Sequence, residues 1–260
     1  MLHYWFLLPV GVVISALVMS AGVSGATLWV PVYLLWLKLE APVAFWLGLL
    51  TMLFGFGSGV IRNFHDGTFD RGLVRRYLIV AVPAALAGGW ASGSINQALV
   101  VALFGAFLIM YAILIAGRTL GMRGDGDRHD RVPFLIALVG GALTGLISIG
   151  IGIVAMPSVL RHRSSRSPAA AIGSLVMVIF FTSVAATIGR MRPSLIAALR
   201  RDSAQVIAIS IWAVPGVVIG GQIGPRLAQI LPSERHARLY FSAVLLVAGV
   251  LTLARAAAVR

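Results

Sequence analysis

Eight apolar stretches dominate this chain, at 5–37, 42–61, 77–95, 97–117, 132–160, 168–189, 203–231 and 236–257. Charge is confined almost entirely to the breaks between them, such as RNFHDGTFDRGLVRR and GRTLGMRGDGDRHDRVP. A run of about 20 apolar residues matches a hydrocarbon layer about 30 Å thick, and a hydrated surface cannot be built from so few charges. Charged residues make up 11% of the 260, against roughly 25% in a soluble domain. The chain therefore reads as an all-α integral membrane protein. The N-terminal MLHYWFLLPVGVV lacks a basic start and reads as part of the first membrane segment.

The net charge of +13 would suggest nucleic acid in a soluble chain. Here the arginines cluster between apolar runs, the bias expected of cytoplasmic loops, and nucleic acid is not an expected partner. With no cysteine, disulfides, thiol catalysis and Cys-ligated metals are excluded. All eight acids and all five histidines fall in or beside predicted loops. Cation and proton transporters usually carry such groups inside the membrane, so this chain does not resemble one. No catalytic constellation, metal site or GxxxxGK[ST] nucleotide loop is present, so neither an enzyme nor a cofactor is expected.

The two halves of the chain echo each other. Pro31 and Pro157 each follow a glycine-bearing stretch, and at the same offset APVA (41–44) faces SPAA (167–170). AVPAALAGG (81–89) matches AVPGVVIGG (213–221), and a double arginine precedes each, Arg75-Arg76 and Arg200-Arg201. These matches predict a first repeat over 1–117, a polar linker over 118–131 and a second repeat over 132–260, each with about four apolar segments. Duplicated halves with a ligand site between them are a recurring transporter plan. Two topologies remain open: eight simple spans, or inverted halves whose first segment is broken at its glycines. Segment 5–37 would be about 50 Å long as one helix, which favours the break.

The glycine-rich stretches are the candidate site. Gly22, Ser24, Gly25 and Thr27 precede Pro31, and Ser148, Gly150 and Gly152 precede Pro157. Glycine and proline are costly in a helix interior. A break there frees backbone N–H groups that suit an anion without a cationic side chain. Ser174, Thr182 and Ser183, with Thr51 and Ser58, could add hydroxyl donors, or bond back to their own helices. The competing account is close helix packing, favoured for Gly88, Gly89, Gly220 and Gly221 and for the spaced pairs Gly141/Gly145 and Gly216/Gly220. Arg62 and Arg190 end their segments and are expected to snorkel to the interface. The six tryptophans are expected to be interfacial anchors.

GGALTGLISIGIGIVAMP (140–157) resembles the glycine-rich motif of the sulfite exporter TauE/SafE family, with Gly145, Gly150, Gly152 and Pro157 in register. SPAAAIGSLVMVIFFTSVAAT (167–187) is similar to the segment that follows that motif, with Gly173-Ser174 and Thr182-Ser183, and RNFHDGTFDRGL (62–73) looks like the family's polar loop. The first repeat departs from the pattern, with fewer glycines in VMSAGVSGATLWVP and Leu47-Gly48 in place of a hydroxyl residue. The resemblance implies a multi-pass transporter of the bacterial inner membrane that moves sulfite, an organosulfonate or a related small anion. Alternating access of the two repeats is the expected mechanism. A passive anion channel and a membrane scaffold are the alternatives. The bilayer and a small anion are the expected partners, and a homo-oligomer is compatible with the sequence.

Overall fold

A computed structural model describes residues 2–21, 25–119, 134–160, 168–230 and 234–258. The described residues are helical, with short turns and no strand. After a 3₁₀ turn at Leu2–Tyr4 come α1 (Leu7–Ala21) and α2 (Ala26–Pro31), which continues as a π-helical turn, Val32–Trp36. Then follow α3 (Ala41–Asp66), α4 (Arg71–Ser92) and α5 (Gln97–Thr119). The second half supplies α6 (Phe134–Ile147), α7 (Gly152–Leu160), α8 (Pro168–Gly189), α9 (Pro193–Arg201), α10 (Ser203–Ile230) and α11 (Glu234–Ala258).

Six of these, α3, α4, α5, α8, α10 and α11, are long and apolar enough to cross a membrane. Of the two topologies open from the sequence, eight simple spans is the one this does not fit. Stretches 5–37 and 132–160 each divide into two short helices instead of forming a span. Local chemistry sets the ends of the long helices. Pro42 lies in the first turn of α3, where a missing N–H costs nothing. Gly67, at φ 63°, ends α3 in the left-handed conformation that glycine tolerates. The Asp70 carboxylate caps α4 by accepting from the Leu73 amide at 2.9 Å. Short α9 is amphipathic, with Leu195 and Ala198 buried and Arg200 and Arg201 exposed at its C-terminal end, where they complement the helix dipole.

Close contacts give the directions of the helices. Gly57 lies against Phe180, Gly59 against Val176, and the Asp70 amide donates to Ser174 Oγ at 2.9 Å, so α3 and α8 are antiparallel. Gly105 sits on Gly249 while Ser242 Oγ donates to the Ala112 carbonyl, so α5 and α11 are antiparallel too. Gly141 packs on Ala81 and Gly145 on Ala85 and Gly89, making α6 parallel to α4. Gly11 packs on Ala213 and Gly220 on Val12, making α1 parallel to α10. The bundle thus has a Gly67 side, at the α3–α4 turn, and a Ser94 side, at the α4–α5 turn.

Both short pairs are hairpins. Starting from the Gly67 side, α6 reaches toward the Ser94 side and α7 returns, so that Tyr77 Oη, early in α4, donates to Ser158 Oγ at 2.9 Å. Phe6, just before α1, stacks on Trp36 at the end of the π-helical turn with ring centroids 5.1 Å apart. Ser15, Val18 and Gly25 meet at the other end of that hairpin. The glycines make these approaches possible. A β-carbon at Gly88, Gly141, Gly145, Gly216 or Gly220 would overlap the backbone of the facing helix.

Candidate functional site

The break between α6 and α7 is buried throughout, from Ile147 to Ile153. Irregular backbone at membrane depth survives only where protein or a polar cavity supplies its hydrogen bonds. Three groups hold this break in place. Ser148, at φ 56°, turns the chain in the left-handed region, and its Oγ donates to the Phe45 carbonyl at 3.0 Å. Thr144 Oγ1 lies 2.7 Å from the Gly140 carbonyl and 3.0 Å from that of Ile149. Arg190 closes the end of α6: Nε donates to the Gly145 carbonyl at 2.9 Å and Nη2 to the Leu146 carbonyl at 2.6 Å. Those are carbonyls that a helix C-terminus otherwise leaves unpaired. The guanidinium also stacks over the Phe45 ring, 5.2 Å from its centroid.

Ser148 carries a local prediction. A β-branched residue in the left-handed region costs about 1–2 kcal/mol, and the lost hydrogen bond about 1 more. Ser148→Val should therefore lower stability by about 2–3 kcal/mol. Ser148→Gly should change it by less than about 1 kcal/mol, because relieved strain offsets the lost bond. Thermal unfolding of the two purified variants in detergent checks this; equal losses would show that the backbone conformation is not what matters.

Gly150 lies in the turn, and the amides of Ile153, Val154 and Ala155 bond to the Gly150 and Ile151 carbonyls. Gly152 opens α7 against Ile179, where a β-carbon would come within 2.5 Å of the isoleucine Cδ1. The predicted hydroxyls are satisfied by their own helices. Thr182 Oγ1 is 2.7 Å from the Val178 carbonyl, and Ser183 Oγ donates to that of Ile179 at 2.6 Å. Both remain able to accept, one turn from the start of α7. Ser174 is apart from this group: it donates to the Ala170 carbonyl and holds the α3–α4 turn through Asp70. Thr51 and Ser58 also bond back to their own helix.

In the first half, Gly22 and Ser24 lie outside the described residues. Thr27 is buried in α2. Gly25 joins Ser15, Trp29, Thr51, Gly55 and Val217 around a cavity of about 10 Å³. That is room for about one water molecule.

Two expectations need correcting. Arg190 does not snorkel: it is 5% exposed and turned inward, whereas Arg62 is exposed as expected. Trp29 is not an interfacial anchor: it is 1% exposed, stacked on Tyr33, and its Nε1–H has no partner among the described residues. Trp5, Trp36 and Trp90 are exposed. Sequence alone offered little to separate Arg190 from Arg62, since both simply follow an apolar run. The difference comes from α6, whose open end Arg190 fills.

Residues 7–252 match the family described as sulfite exporter TauE/SafE. This chain belongs to that family. TauE/SafE proteins are membrane transporters, not enzymes, and the chain is accordingly a multi-pass membrane protein. It is 30% identical over 164 residues to a protein of Methanocaldococcus jannaschii named "probable membrane transporter protein". The match covers 61% of this chain and spans 59% of that protein's length. No solved structure matches the chain.

Proposed function

We propose that this TauE/SafE protein is a secondary transporter of a small anion, with sulfite, an organosulfonate or a related sulfur-containing anion as the substrate class. The observation that carries this reading is Arg190. A guanidinium buried beside a broken helix has no carboxylate partner among the described residues. Ionisable groups inside a membrane protein are costly and mark substrate pathways. Helix carbonyls accept two of its hydrogen bonds but do not neutralise its charge, so the site favours an anion. Gly150, Gly152, Thr182 and Ser183 surround the break, and by the sequence repeat the stretch that holds Gly22, Ser24, Gly25 and Thr27 is its counterpart in the first half. Ser174 acts indirectly, by holding the α3–α4 turn.

The proposed mechanism is alternating access between two inverted repeats. The packing pattern supports it. The first helix of each half lies parallel to the second long helix of the other half, α1 on α10 and α6 on α4. Counterpart helices, α3 with α8 and α5 with α11, are antiparallel, as a two-fold axis in the membrane plane requires. Among the described residues, eight arginines (Arg62, Arg71, Arg75, Arg76, Arg118, Arg226, Arg235 and Arg238) fall on the Gly67 side, against six basic residues (Lys38, Arg190, Arg192, Arg200, Arg201 and Arg255) on the Ser94 side. The Gly67 side is then cytoplasmic, in a bacterial inner membrane. No described carboxylate is buried, so a proton would travel on the anion itself, as in bisulfite.

Flux of sulfite, sulfate and methanesulfonate into proteoliposomes tests the reading. Saturable flux that speeds up when the same anion is trapped inside is expected. Linear, unaccelerated flux would instead indicate a channel, and folded protein that moves none of these anions would refute small-anion transport. Orientation has its own test, because the chain has no cysteine to remove. In intact cells, Ser94→Cys should react with a membrane-impermeant maleimide and Asp66→Cys should not; the opposite pattern would reverse the topology.

A further inference from the structure

We infer that an anion-docking subsite lies on the Ser94 side, in a cavity of about 40 Å³ lined by residues including Ser92, Gln97, Arg190, Arg192 and Ser194. This deepens the transport reading and rests on it for the class of ligand. Two guanidiniums face this cavity and no carboxylate lines it. Nearby acids are engaged elsewhere: Glu40 and Asp202 both pair with Arg201.

The surrounding groups are held in place. Arg192 Nη1 donates to Ser94 Oγ at 2.6 Å, and its guanidinium lies over the Trp90 ring, 4.8 Å from the centroid. Gln97 Nε2 donates to the Ser92 carbonyl at 3.0 Å, and Ser92 Oγ to that of Gly89 at 2.7 Å. What remains for a ligand is positive charge and unused guanidinium N–H: Nη1 of Arg190 has no partner among the described residues. A guanidinium fork matches the oxygens of sulfite, sulfonate or phosphate. The volume admits a small oxyanion and excludes a bulky one.

Arg190 connects this cavity to the α6–α7 break. One side of its guanidinium lines the cavity and the other caps α6. An anion docked here competes for the group that holds the hairpin closed, so docking and opening are coupled.

The test is calorimetric titration of the purified protein in lipid-free detergent with sulfite, alongside the flux assay. Arg192→Gln should weaken sulfite binding about tenfold and raise the half-saturating concentration for flux by a similar factor, leaving the maximal rate within about twofold. Arg192→Lys should recover part of the loss. Unchanged binding in Arg192→Gln, or a fall in maximal rate alone, would overturn the inference and leave transport standing. Sulfite binding that depends on Arg192, in protein that transports nothing, would support the subsite and refute the transport reading. Binding of phosphatidylglycerol but not sulfite would overturn the inference by assigning the cavity to a lipid headgroup.

Discussion

Arg190→Met should reduce anion flux at least about a hundredfold while lowering stability much less. A hundredfold loss corresponds to about 2.7 kcal/mol of lost stabilisation during transport. Methionine fits the space of the arginine stem but leaves the Gly145 and Leu146 carbonyls without their donors. Each such bond to a charged group contributes about 1.5–3 kcal/mol. Removing a buried charge recovers much of that, because its desolvation is no longer needed. Net destabilisation should therefore be about 1–3 kcal/mol, measurable as a lower melting temperature of protein that still folds. Arg190→Lys keeps the charge but not the fork, and should fall between the wild type and Arg190→Met. If Arg190→Met transports normally, Arg190 is a helix cap and nothing more, and the anion reading loses its main support.

Gly145→Val should prevent assembly of the folded bundle. A side chain at this position would overlap the Ala85 carbonyl and the Gly89 amide, both backbone groups of α4 that cannot swing away. Overpacking of a flexible core costs about 1–3 kcal/mol, and a clash with the backbone of a straight helix lies at or above the top of that range. The α6–α7 hairpin would be forced off α4, which also separates Arg190 from its carbonyls. The expected result is loss of the monodisperse peak in size-exclusion chromatography and of flux together. Gly57→Ala is the control. Its β-carbon would sit 3.5 Å from Phe180, an ordinary contact, and alanine is the better helix former. A well-folded Gly145→Val protein would show that the α4–α6 contact is not tight.

The two variants separate roles that the glycine-rich stretch combines. Gly141 and Gly145 bring α6 onto α4, whereas Ser148, Gly150 and Gly152 shape the turn that follows. Close packing and the helix break therefore fall to different glycines. Gly152 belongs to both, since it begins α7 and also makes room for Ile179.

The sequence by itself determined the solvent of this protein and the places where its helices stop. Apolar length and the exclusion of charge are properties of consecutive residues, and so are the glycines of 145–152 and the proline that follows. They announced a membrane protein with broken helices and carried the resemblance to TauE/SafE. Tertiary structure decided what those breaks become. Whether 132–160 crosses the bilayer or turns back depends on which helix α6 lies against, and that partner, α4, is more than 40 residues away in sequence. The fate of the arginines was decided in the same way. Arg62 and Arg190 have the same local context, but only Arg190 meets the open carbonyl end of another helix, so one is solvated and the other buried. Burial of a charge depends on what surrounds it in space, and the residues adjacent in the chain do not encode that.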